Sequence, residues 1–232
     1  MKTIDIKYCF TFGDKSQEII TLKLHPRSLL LLNDPPQELP SWTALGCHQC
    51  PNCPLLPEKQ PHCPLAIHLV NAVNQFRGKL SFHEIHLNVV TSERIFSQFT
   101  TLQNALSSLM GLTSATCGCP LTAPFRPMAR FHLPLATHEE TVYRAASMYL
   151  MSQYFEKNKN RDADLELAGL MKIYQDIHLV NTSFAMRLKN GPDVESTLDA
   201  MILLDSFAKV LPGQIEDSLD CVHYLFDKDR RR

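Results

Sequence analysis

The stretch GCHQCPNCPL, from Gly46 to Leu55, places three cysteines, one histidine and two prolines in ten residues. Such a run can hold a metal ion, ligate an iron–sulfur cluster, pair as disulfides or carry thiol redox chemistry. The residue after each cysteine divides the eight cysteines of the chain. Cys50, Cys53, Cys63 and Cys119 each precede a proline, whereas Cys9, Cys47, Cys117 and Cys221 do not. Four matched cysteines is the number a tetrahedral thiolate site requires. The two-residue gap between Cys50 and Cys53 lets both sulfurs face one ion. Cys63 stands at the start of an expected helix, where the helix dipole favours a thiolate. Cys119 would arrive from far along the chain and staple two distant segments.

Zinc is the first expectation, because a thiolate site with a CxxC knuckle in a reducing compartment is most often zinc. The pattern is weaker than a CxxC…CxxC ribbon, since Cys63 and Cys119 do not form a second CxxC. Cys47, His48 and Cys117 are spare ligands. An iron–sulfur cluster is the alternative. Cys47, Cys50 and Cys53 match the opening of the bacterial ferredoxin spacing, but the Cys-Pro at Cys63 follows too late for that pattern. The bland reading is a set of unligated cysteines that pack as small hydrophobes. Thiol redox chemistry is disfavoured, because such motifs open a helix after a strand and Cys50 lies among prolines.

Other polar residues have weaker signals. Arg126, Arg130 and His132 lie close after Cys119 and would make an anion-binding edge beside the metal; their ordinary use is pairing with acids of the helical half. His83 and His86 flank Glu84 on an expected strand and read as solvated. His178 and Asn181 suit a polar layer in a helix bundle. Asp199 and Asp205 lie in LDAMILLDSFA as a buried pair or as two helix edges. GxSxG, P-loop, GxGxxG and DxDxDG patterns are absent from the sequence.

The elements that must position these residues follow from periodicity. TIDIKYCFTF alternates, with Ile4, Ile6, Tyr8, Phe10 and Phe12 on one face; EIITLKL alternates again after the turn residues GDKSQ. The pair predicts a hairpin with one buried face. Residues 33 to 64 hold eight of the fifteen prolines, which excludes a long helix or a central strand. An irregular loop of that length is uncommon unless something ties it down. Pro64 then opens a helix with Leu65, Leu69, Ala72, Val73 and Phe76 on one face. FHEIHLNVVT predicts a third strand. Thr100 and Gln103 suggest a capping box for a helix to about residue 116, and the break CGCPLTAPFRPMARFHLPL follows.

From Thr137 the chain reads as helical, with a second capping box at Thr137 and Glu140. Apolar positions at 167, 170, 174, 177, 184 and 188 recur at heptad spacing, interrupted by Asn181, and Asn190-Gly191 would close that helix. Two more helices are expected near 194–209 and 214–227, separated by Leu211-Pro212-Gly213. The fold class is therefore α+β: a small antiparallel sheet with a Cys/Pro-rich loop over residues 1–136, then a mainly helical segment over 137–232 packed on it as one unit.

The totals set bounds. With 232 residues, 44% hydrophobic and 20% charged, the chain can bury a core without a metal. Its formal net charge of -1 argues against nucleic acid or an anionic membrane as partner. The basic tail DKDRRR reads as a solvated end. No signal-peptide pattern or membrane-spanning run is seen, so a cytoplasmic setting with reduced cysteines is expected.

WTALGCHQCPNCPL, HCPLA, ALSSLMG, CGCP and PMARFHLP resemble the signature stretches of an uncharacterised bacterial family, a domain of unknown function. The resemblance spans most of the chain. It implies Cys50, Cys53, Cys63 and Cys119 as the family's cysteines and implies no activity. The expected function is a metal-binding protein with a structural zinc and a helical half that binds a protein partner. The alternative is an iron–sulfur redox protein or enzyme acting on an anionic substrate.

Overall fold

Strand alternation in the first residues becomes a buried sheet face. In the computed structural model, which describes residues 2–190, 194–213 and 215–227, β1 (Ile4–Phe12) and β2 (Gln17–Leu24) form the expected hairpin. Tyr8 pairs with Ile20 across it. Ile6, Tyr8 and Phe10 are buried on one face. β3 (Glu84–Val90) pairs antiparallel with β1 on its other side, Phe10 opposite Leu87. A fourth strand, β4 (Ile95–Thr101), pairs antiparallel with β3 and gives the order β2-β1-β3-β4. The periodicity did not suggest β4. It is an edge strand whose Ile95 and Phe99 point to solvent, 68% and 80% exposed, so its apolar residues do not mark a core face.

Helices cover the buried face. α1 (Pro64–Gln75) opens at Cys63-Pro64 and buries Leu65, Leu69, Ala72 and Val73. Phe76, just after it, meets Phe10 edge-on at 4.7 Å between centroids. α2 (Leu102–Thr116) follows β4 directly. Its N-cap is Thr101, with no side-chain cap. The expected Thr100–Gln103 box does not form, because carbonyls of the preceding loop take those amides. Leu102 N–H donates to His83 O and Gln103 N–H to Ser81 O, both at 2.9 Å. A helix that emerges straight from a strand already has acceptors beside its first turn.

The helical half is α3 (Arg126–Arg130), α4 (His138–Lys157), α5 (Ala168–Leu188), α6 (Glu195–Gly213) and α7 (Ile215–His223). The Thr137–Glu140 capping box forms at α4 with both reciprocal hydrogen bonds. Leu167, Leu170, Tyr174, Ile177, Asn181, Phe184 and Leu188 are all buried, as their spacing requires. Ahead of α5, Asp164 accepts from the Gly169 amide at 2.7 Å and from the Tyr149 hydroxyl at 2.7 Å. Gly191, expected to close α5, lies outside the described residues, as do residues 228–232 of the basic tail. α6 runs through Leu211-Pro212-Gly213, where a break was expected. Asp205 Oδ1 accepts from His178 Nδ1 at 2.8 Å, so it partners α5 and not Asp199.

The architecture is α+β. One apolar core joins the two sides of residue 136: Val180, Phe184, Leu188, Ala200 and Met201 pack with residues of the sheet, α1 and α2. A second cluster gathers Val142, Tyr149, Leu170, Tyr174 and Val222 among α4, α5 and α7. Among the described residues no helix is long and apolar enough to cross a membrane.

Candidate metal centre

The proline-rich loop folds back on itself. Leu45 N–H donates to Pro61 O and Cys63 N–H to Thr43 O, each at 2.8 Å, and Ala44 bridges His62. The prolines forbid a longer ladder, so two or three paired residues form the neck of the loop. Beyond the neck, Cys53 N–H donates to Cys50 O at 2.9 Å. That tight turn makes the knuckle between the two cysteines. Cys63 leaves the neck in an extended conformation as the N-cap of α1, with Pro64 at the first helical position. Unpaired amides of the first turn lie next to it. Cys119 follows Gly118, whose φ of +92° is a conformation that side chains disfavour and that turns the chain sharply after α2.

Cys50, Cys53, Cys63 and Cys119 line one cavity of about 20 Å³. That space holds roughly one water-sized body. Its remaining wall includes Leu45, Leu65 and, from α5, Val180, Phe184 and Arg187. Three chain segments, separated by up to the whole length of β3, β4 and α2, thus bring sulfur to one place at the joint of the two halves. Among the described residues no three His, Cys, Asp or Glu side chains are arranged to hold a metal ion. The four thiols share a cavity; they do not form a ready cage.

Burial sets the charge state of these groups. It pushes the Cys50 thiol up to about 11, and the neighbouring Cys63, Cys53 and Cys119 sulfurs add to the rise while Ser183 opposes it. Burial likewise raises Cys119 and takes Cys117 to about 12. Without a cation, Cys50, Cys117 and Cys119 are therefore neutral thiols near pH 7. A nucleophilic or redox cysteine needs the opposite shift.

Arg187 is the unexpected member of the site. It is 2% exposed. Its Nη1 donates to Trp42 O at 2.7 Å and to Ala44 O, and its Nη2 reaches Leu45 O at 3.3 Å. Among the described residues no carboxylate pairs with it. A buried guanidinium satisfied only by carbonyls keeps its full charge uncompensated. The periodicity of α5 hid it, because an arginine on a helix usually faces water. Its place one turn after Phe184 and beside Leu188 is the only sequence signal that it points inward.

Further contacts hold the knuckle to α5. Asn52 Nδ2 donates to Asp176 Oδ1 at 3.1 Å, and His48 Nε2 meets Asn190 Nδ2 at 2.9 Å. His48 also lines the cavity, with a left-handed φ of 44°. Cys47 and Cys117 do not line it. The Cys117 thiol donates to Ser114 O at 3.2 Å.

The other sequence candidates stand elsewhere. Arg126 starts α3 with a buried Nε that has no partner among the described residues. Arg130 pairs with Glu93 at 3.7 Å. His132 is bonded through Nε2 to the Tyr8 hydroxyl; burial, helped by the nearby Arg144 charge, drives its pKa down to about 3. None of the three lines the cysteine cavity. His132 lines a larger cavity on the far side of α2. His86 bonds Ser97 at 2.8 Å on the open sheet face.

A family model described as a domain of unknown function (DUF6901) matches residues 6–227. No curated protein and no solved structure matches the chain.

Proposed function

The chain belongs to the DUF6901 family, a domain of unknown function, and we propose that it is a metal-binding protein whose structural zinc is held by Cys50, Cys53, Cys63 and Cys119. The observation that carries this reading is the shared cavity. Four cysteines selected by one sequence rule, from three segments, line a single space of about 20 Å³. Unrelated packing cysteines have no reason to do so.

The charge balance supports the same reading. Four thiolates around one Zn²⁺ leave a net negative charge, and Arg187 supplies a buried positive charge with no carboxylate partner among the described residues. Metal binding would release the thiol protons, since the ion and not a base provides the compensation. Closing the cage to zinc–sulfur distances of about 2.3 Å takes side-chain rotation and small movements of the loop. Four thiolates leave no open position for water or substrate, so the ion's work is to clasp the loop, the start of α1 and the turn after α2. The iron–sulfur alternative uses the same cysteines; the closed, apolar space of roughly one ion argues for the smaller occupant.

The test is metal analysis of protein purified anaerobically without chelator, alongside its visible spectrum. About one zinc per chain, retained on dialysis and lost in Cys119→Ser, is the expected result. Iron with inorganic sulfide and absorbance near 400 nm would overturn zinc in favour of the cluster. Metal-free protein from zinc-supplemented cells would overturn both.

A further inference from the structure

A second site lies apart from the cysteines. A cavity of about 390 Å³ sits between α2, the segment 125–136, and helices α4, α5 and α6. That is the size of ordinary small-molecule pockets. α2 presents mostly small residues to it, Ser107, Ser108, Gly111, Ser114 and Ala115, with Asn104 and Leu112 as the longer side chains. Leu112, Met128, Ile177 and Leu204 supply apolar walls.

Among the described residues the lining contains no aspartate, glutamate or lysine; its one arginine is Arg144, and Gln98, Asn104 and Thr141 are among its neutral polar groups. Arg144 Nη2 donates to Met128 O at 3.0 Å and to Phe131 O at 3.1 Å. These bonds fix the guanidinium and leave its Nη1 and Nε without an acceptor among the described residues. No carboxylate lies within ion-pair distance of it among those residues. Tyr174 brings its ring to the same end, and the nearby His132 is held neutral by burial. Two turns further along α5, about 10 Å on its axis, stands Asn181. It is 2% exposed, and its Nδ2 is buried without a hydrogen-bond partner among the described residues. An unmet buried donor costs free energy in the empty protein and would be satisfied by an acceptor on a ligand.

We propose that this cavity is a binding site for a small organic carboxylate. Its carboxylate accepts from the free Nη1 of Arg144, its apolar body lies over the small residues of α2, and a hydrogen-bond acceptor near its far end meets Asn181. A hydrogen bond from a fixed guanidinium to a carboxylate is charge-assisted and roughly twice as strong as one to a neutral acceptor. The charge of Glu140, one turn before Arg144 on α4, acts on the guanidinium from outside ion-pair distance; an uncharged lipid would add no counter-charge, and a cation would be repelled by Arg144. The site is separate from the cysteines: α2 contributes its small face here and the turn after its C-terminus there.

Calorimetric titration of the purified protein with decanoate, decanol and 10-hydroxydecanoate, all below their micellar range, tests the proposal. Decanoate should bind at least about tenfold more tightly than decanol, and Arg144→Gln should remove that preference while leaving decanol unchanged. Gly111→Leu should abolish binding of all three. Its Cβ makes only ordinary contact with Leu204 at 3.5 Å, so the extra atoms extend into the cavity, and an unchanged circular dichroism spectrum reports an intact fold. 10-Hydroxydecanoate should bind more tightly than decanoate, and Asn181→Leu should erase the difference. Failure of the wild type to bind decanoate, or equal binding by wild type and Arg144→Gln, would overturn the site. Equal affinity for decanoate and 10-hydroxydecanoate would overturn the assignment to Asn181.

Discussion

Arg187, on the last turn of α5, donates through Nη1 to the carbonyl of Trp42 at 2.7 Å, across 145 positions of sequence. With the further bonds to Ala44 and Leu45, one guanidinium gathers the neck of the cysteine loop. The contact makes the loop's conformation depend on the helical half. It also puts a fixed positive charge beside four sulfurs. Four predictions follow from this and neighbouring relationships.

Arg187→Met should destabilise the protein by about 2 kcal/mol or more. The apolar replacement leaves the buried Trp42 and Leu45 carbonyls without their Arg187 donor, and each unmet group costs about 1–3 kcal/mol; the Ala44 carbonyl keeps its bond from the Cys47 amide. Urea unfolding of the two proteins measures the difference. Zinc retention against a competing chelator should fall in the same variant, because the compensating charge is gone. A variant as stable as wild type would show that the carbonyls find other donors.

Serine substitution should sort the cysteines into two sets. Replacing Cys50, Cys53, Cys63 or Cys119 should release the metal and cost about 2 kcal/mol or more, since metal affinity is linked to folding. Replacing Cys9, which faces away from the core on β1, should leave metal content unchanged and stability within about 0.5 kcal/mol. Metal loss on changing Cys47 in place of Cys53 would exchange those two roles.

His132 should make stability fall in mild acid. Its pKa is pushed from an ordinary value near 6.5 down to about 3 by burial and by Arg144. Between those values the unfolded chain takes up a proton that the folded chain refuses, so this contribution is complete above pH 6.5 and declines as pH falls toward 3. His132→Gln removes the group. Its unfolding midpoint should change less steeply than that of wild type between pH 6.5 and 4. Parallel slopes would mean that His132 takes up its proton in the folded state as readily as in the unfolded one.

Two threonines at helix starts should behave oppositely. Thr137 accepts from the Glu140 amide and completes a capping box, so Thr137→Ala should cost about 0.5–2 kcal/mol. Thr101 has a buried hydroxyl with no partner among the described residues. Thr101→Val keeps its shape and removes the unmet group, so it should be neutral or stabilising by up to about 1 kcal/mol. Thermal unfolding of both variants reads the contrast directly.

The elements were legible where one face met the core. Alternation in β1 and the heptad spacing of α5 named residues that are buried, because burial imposes the period. β4 was not legible, since its apolar residues Ile95 and Phe99 face solvent and its pairing comes from β3. The α2 cap was misplaced for a similar reason: His83 and Ser81 satisfy its amides from a loop that local sequence does not locate. At the cysteine cavity, the Cys-Pro rule chose four residues that line one space, while Arg187, Val180 and Phe184 were missed because they belong to a helix distant in sequence. The large cavity left no mark in any motif.

The sequence by itself determined the class of the fold, the strand and helix faces and the set of four cysteines. These follow from local periodicity, from proline's missing donor and from the chemistry of thiols. Only the tertiary structure decided what the cysteines share, because a cavity is made by segments that meet across the chain. It alone placed an uncompensated arginine beside them, divided Arg126, Arg130 and His132 among separate environments, and opened the space between α2 and α5 that Arg144 and Asn181 face. Side-chain periodicity says which face of an element turns inward; the packing of one element against another decides what it meets there.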